Sequence, residues 1–238
     1  YSMLNDQLGL PEADYSAFMA IQAMADKHQY MEELSVDMSC ARSRAKTLAV
    51  RGAFGEGLHL FGTFAILLNG QRCGVMKGMG QIVTYSIKDE NLHVKGNVEV
   101  FHQEIKENPE IWDDSFKFEI YQACREMVAL EDAFLDVAFA EGDLVHRDVV
   151  LTKDEVKLFI RHLANRRLLQ LGLKENYLDL AENPLEWLDW ILSNDELANF
   201  FETRVTEYAA GQTGGTWDDA WKALAPNSII GQNLTAEI

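Results

Sequence analysis

Basic residues are scarce in this chain. Against 38 Asp and Glu there are only 21 Lys and Arg, which leaves a formal net charge of −17. Such a surface repels phosphate backbones and anionic headgroups, so direct binding of DNA or RNA, or of an acidic membrane, is not expected. Cysteine is nearly absent: Cys40, Cys73 and Cys124 are odd in number and lack Cys-x-x-Cys spacing. That fits a reducing compartment better than a disulfide framework, with each cysteine read as a small buried apolar residue. Proline is confined to Pro11, Pro109, Pro184 and Pro226, each where a helix could begin or end. Long apolar runs are missing too. The most apolar stretch, Leu58 to Leu68, is broken by His59 and is too short to span a bilayer. No basic segment followed by an apolar one opens the chain, and it starts Tyr1-Ser2-Met3 with no initiator Met, as the interior of a longer protein would. Sustained period-2 alternation, fixed-period repeats and low-complexity blocks are also lacking.

What remains is helical periodicity. Residues 1–7 read as the end of a helix closed by Leu8-Gly9-Leu10-Pro11. From Asp14 to about Leu34, Phe18, Ile21, Met24 and Ala25 recur at helical spacing. A long helix is expected from about Ala41 to Leu68, with Asn69-Gly70 as a turn, and another from about Gly74 to Lys106. A further helix from about Trp112 to Ala140 carries Met127, Leu130, Phe134 and Val137 on one stripe, and Gly142 ends it. Thr152-Lys153-Asp154-Glu155 has the form of a capping box and opens a helix to about Leu171, stopped by Gly172. A shorter helix follows Pro184 through Trp187 and Trp190, and the Gly- and Thr-rich segment after about Thr203 is expected to be mobile. The chain is therefore all-α: a helical domain over residues 1–203 and a tail over 204–238.

The chemistry concentrates in Asp89-Glu90-Asn91-Leu92-His93 and in Glu56. Glu90 and His93 are three apart, so a helix sets both on one face, one turn from each other. A Glu-x-x-His pair joined by a lone Glu from a neighbouring helix is half of a carboxylate-bridged two-metal site. The other half needs a second Glu-x-x-His ligand pair and a fourth carboxylate, and no such set is assigned in the chain. Glu56 lies in the apolar run Phe54-Gly55-Glu56-Gly57-Leu58, where a carboxylate must be neutral, paired or metal-bound. Leu60 and Phe64 would stand one and two turns beyond it as an apolar wall that shields a metal from water. His59 follows Glu56 at the same three-residue spacing, and it is read as structural. His28, His102, His146 and His162 are read as structural as well.

Several stretches, in order, resemble the small subunit of class I ribonucleotide reductase. They are Tyr1-Ser2-Met3-Leu4-Asn5-Asp6, Phe54-Gly55-Glu56-Gly57-Leu58, Lys77-Gly78-Met79-Gly80-Gln81-Ile82 and Ile87-Lys88-Asp89-Glu90-Asn91-Leu92-His93. Further along come Arg166-Arg167-Leu168-Leu169-Gln170-Leu171-Gly172-Leu173, Asn183-Pro184-Leu185-Glu186-Trp187-Leu188-Asp189-Trp190 and Asn199-Phe200-Phe201-Glu202-Thr203-Arg204. The resemblance implies a ferritin-like helical bundle, here without its first ligand helices, housing a di-iron or manganese/iron centre. By resemblance Glu56, Glu90 and His93 are metal ligands. Asp89 matches an acid that hydrogen-bonds a ligating His and takes part in electron relay. Tyr1 matches the radical Tyr that follows the family's other Glu-x-x-His, and Tyr208, in Thr206-Glu207-Tyr208, matches the tail Tyr that hands the radical on.

The family's activity then gives the leading expectation. Metal and dioxygen generate a tyrosyl or metal-based radical, which passes to a separate large subunit for reduction of ribonucleoside diphosphates. The resemblance also implies a homodimer in the cytoplasm of a bacterium or a phage-infected host, with the tail docking on the large subunit. Two rivals stand beside it: another ferritin-like two-metal oxidase acting on a small apolar substrate, and a helical fragment without activity. Because three ligands are too few for two metals, residues 1–238 alone are expected to bind metal weakly or singly and to be inactive.

Overall fold

The computed structural model describes residue 9 and residues 11–34, 38–180 and 182–189. Seven α-helices and one small hairpin make up this part. They run α1 (Glu12–Tyr15), α2 (Gln22–Glu33), α3 (Ala41–Thr47), α4 (Phe61–Arg72), α5 (Lys77–Glu107), α6 (Asp114–Ala138), β1 (Leu144–His146), β2 (Val149–Leu151) and α7 (Lys153–Gln170). Short 3-10 turns occupy Ala17–Ala20, Pro109–Ile111 and Glu186–Leu188. The expected helical architecture is present.

The expected helix from Ala41 to Leu68 is broken, however. α3 passes into a π-helical segment, Leu48–Gly55. There the Glu56 amide bonds the Arg51 carbonyl, five residues back, at 3.2 Å. Residues 56–60 are turns before α4 begins. A π turn inserts one residue into the helical repeat, which periodicity cannot reveal. The turn assigned to Asn69-Gly70 also moves: both residues lie inside α4, and Asn69 is buried. The chain reverses instead at Gly74, φ +78, and Met76, φ 51. Glycine occupies the left-handed region without steric cost.

The core forms where π segment, α4 and α5 pack together and α6 packs on α2 and α7. On α6 the buried stripe is Ile120, Cys124, Met127, Val128, Glu131 and Leu135, whereas the expected Val137 is 47% exposed. On the first amphipathic stretch Phe18 and Ile21 are exposed, and α2 starts only at Gln22. Of the three cysteines only Cys124 is buried, with its thiol pushed up to about 12 by that burial; Cys40 is exposed and Cys73 intermediate.

The hairpin is an element the sequence reading lacked. Leu144 pairs with Leu151 and His146 with Val149, and Arg147 takes φ 53 at its turn. Strands of three residues are too short to show a period. The capping box is present: the Glu155 amide donates to Thr152 Oγ1 at 3.1 Å, and the Thr152 amide donates to Glu155 Oε2 at 2.9 Å.

Candidate metal centre

Glu56 ends the π segment, and Glu90 and His93 sit near the middle of α5. The two elements pack on each other. That packing gathers Glu56, Glu90 and His93, with one ligand atom from each lying within 4.8 Å of the others. Both carboxylates are half-buried and His93 is exposed. His93 Nδ1 stands 3.3 Å from Glu90 Oε2. Asp89 is half-buried beside them.

The electrostatics call for a cation. Burial raises the Glu56 carboxyl above its ordinary range, and the negative charge of Glu90 raises it further; His93 and an amide from Asn97 act the other way. Among the described residues no Lys or Arg forms an ion pair with Glu56 or Glu90. Two carboxylates and an imidazole, converging without a fixed positive charge, suit a first-row divalent metal. These donors fit the metal that the resemblance implies. Tyr1 and Tyr208 lie outside the described residues, as does Trp190.

The loop after Glu56 is held from three helices. Arg167 Nε, on α7, donates to the Gly57 carbonyl at 3.1 Å. Lys27 Nζ, on α2, donates to the His59 carbonyl at 2.9 Å and pairs with Glu131 on α6. His59 Nε2 donates to the Met127 carbonyl at 3.1 Å. Burial, reinforced by the Lys27 charge, pulls the His59 imidazole down to about 3, so it is neutral and structural. The apolar wall is only partly as expected: Phe64 is buried, but Leu60, set in the turn, is 39% exposed.

Asn97, Arg167, Lys27 and Glu131 were missed by sequence reasoning. A signal existed for Asn97, which continues the Glu90/His93 stripe four residues on. The others come from distant parts of the chain and left no local signal. Three cavities, of about 310, 170 and 600 Å³, are lined by other residues, and none of these three includes a metal donor.

Comparison with known proteins bears on this site directly. The family model for ribonucleotide reductase, small chain, matches residues 1–184. A probable ribonucleoside-diphosphate reductase small subunit of Invertebrate iridescent virus 6 is 35% identical across 93% of this chain and 70% of the viral protein. Its counterpart in Invertebrate iridescent virus 3 is also 35% identical, over 91% of this chain and 61% of that protein. A ribonucleotide reductase R2 subunit from Clostridium botulinum, 18% identical, superposes with TM-score 0.63 over 75% of this chain and 55% of its own. A Bacillus halodurans protein assigned to class I ribonucleotide reductases, 21% identical, gives TM-score 0.69 over 76% and 65% of the two chains. These superpositions establish the ferritin-like fold. No helix among the described residues is long and apolar enough to cross a membrane. The conjunction of family match, relatives and a clustered Glu56/Glu90/His93 places the chain in the ribonucleotide reductase small chain family.

Proposed function

We propose that this chain is part of the radical-generating small subunit of a ribonucleoside-diphosphate reductase. The observation that carries this reading is the convergence of Glu56 with Glu90 and His93, within 4.8 Å, from two separate elements. Glu56 and Glu90 supply the oxygens that hold the cation and His93 the nitrogen. Three donors serve one cation; a two-metal centre of the carboxylate type takes its remaining Glu and His ligands from outside the described residues. The donor types suit iron and manganese alike. With dioxygen, the bound metals supply the oxidising power for a one-electron oxidation.

The remaining roles rest on resemblance. Asp89 orients a ligating imidazole and relays the electron. Tyr1 carries the radical, and Tyr208, in a docking tail over residues 204–238, passes it to the large subunit. The helical domain over residues 1–203 forms a homodimer, in the cytoplasm, and touches neither nucleic acid nor nucleotide. The test is electron paramagnetic resonance of the full-length, metal-loaded protein after exposure to oxygen. A tyrosyl or high-valent metal signal is expected, and it should vanish in Glu90→Ala and His93→Ala. A silent wild-type spectrum would sink the proposal.

A further inference from the structure

Gly52, four residues before Glu56, and Gly57, directly after it, each leave room for a polar side chain from another helix. At Gly52, in the π segment, a Cβ would lie 2.5 Å from Asn97 Cγ and 2.6 Å from Asn97 Cβ. At Gly57 a Cβ would run into Arg167, whose Nε holds the Gly57 carbonyl. The Arg167 contact fixes backbone. The Asn97 contact reaches the functional group itself: Asn97 Nδ2 donates to Glu56 Oε2 at 3.0 Å. An ionised carboxylate only accepts, so the amide must present its NH2 to it.

We infer that Asn97, seated over Gly52, is a positioning residue that fixes the Glu56 carboxylate for metal binding. The inference rests on the metal-centre reading and extends it to residues outside the ligand set. Asn97 is half-buried and lies on the same α5 stripe as Glu90 and His93. One helix therefore supplies two donors and also orients the third, which belongs to the π segment. The amide bond takes one lone pair of Oε2 and leaves the rest of the carboxylate to a cation. Without it, the Glu56 side chain would sample other rotamers in a half-buried space. Such supporting hydrogen bonds typically change metal affinity by roughly 10- to 100-fold.

Gly52 offers a second route to the same contact. A methyl group at position 52 would push against Asn97 Cβ and Cγ and displace the amide from Glu56 without altering its chemistry. Mn(II) is titrated into the full-length apoprotein, free Mn(II) is read by electron paramagnetic resonance, and the Co(II) absorption spectrum reports the ligand geometry. Asn97→Ala, the similarly shaped Asn97→Leu, and Gly52→Ala should each weaken Mn(II) binding by roughly 10- to 100-fold and alter the Co(II) spectrum. The double variant Gly52→Ala/Asn97→Gly should bind no more weakly than Asn97→Gly alone, because removing the Asn97 Cβ as well vacates the space that the new methyl enters. Wild-type affinity and spectrum in both Asn97 variants would overturn the inference, as would losses that simply add in the double variant. A wild-type protein that binds no Mn(II) would instead remove the metal-centre reading, and this inference with it.

Discussion

Glu131 is fully buried, and Lys27, a charge from another helix, meets one of its oxygens. Burial raises its carboxyl from 4.5 to about 7 even though Lys27 opposes the shift. By proton linkage, a group raised in the folded state stabilises fully below its unfolded value and loses that contribution as pH rises through the folded one. The difference in unfolding free energy between wild type and Glu131→Gln should therefore grow as pH falls from about 7 to about 4.5 and level off below. Urea melts across that range check it, and parallel profiles would contradict the shift. His59 has the opposite sign: its value falls from 6.5 to about 3, so its contribution is present above pH 6.5 and is lost as pH falls toward 3. Neither Glu131 nor Lys27 advertised itself in sequence, whereas His59 stood out by its spacing from Glu56. Glu131 sits at an ordinary helical position, and only the approach of α2 and the Glu56 loop makes it a buried acid.

At the scale of elements, the capping box of α7 was legible because its partners are three residues apart, and the structure shows both of its hydrogen bonds. Thr152→Ala removes the acceptor for the Glu155 amide and should cost about 1 kcal/mol, measured by thermal or denaturant unfolding. The π segment was not legible. Its eight residues include six buried ones, so an apolar run filled both the α and the π pattern equally well. What separates them is the contact with α5, where Gly52 admits Asn97 and the extra residue aims Glu56 at Glu90. The same logic explains the Gly74 reversal. Gly70 looked like a turn, but its place inside α4, near Val75 and Met76, is set by how α4 and α5 meet.

For the whole molecule, the exposed apolar residues on α5 mark what the described part leaves uncovered: Leu92 is 67% and Val100 54% exposed. Both belong to the helix that carries Glu90 and His93. On the proposed function, metal binding would join α5 to the π segment and so couple the site to the fold. Mn(II) at 100 times its dissociation constant should stabilise the full-length protein by about 2.7 kcal/mol, seen as a rise in melting temperature. Glu56→Ala should abolish that rise while leaving the metal-free melting temperature close to wild type. A rise of equal size in the variant would show that the cation binds elsewhere.

Local pattern alone determined a great deal: helical class, most helix boundaries, one N-cap, and the shared helix face of Glu90 and His93. Each is written in spacings of three or four residues, where chain geometry translates order directly into direction. Tertiary structure decided the rest. It inserted a π turn before Glu56, closed the 4.8 Å cluster, seated Asn97 over Gly52, and buried Lys27, His59 and Glu131 around the loop. Those outcomes depend on which helices pack together. Packing energy is shared among residues far apart in the chain, so no single segment encodes it.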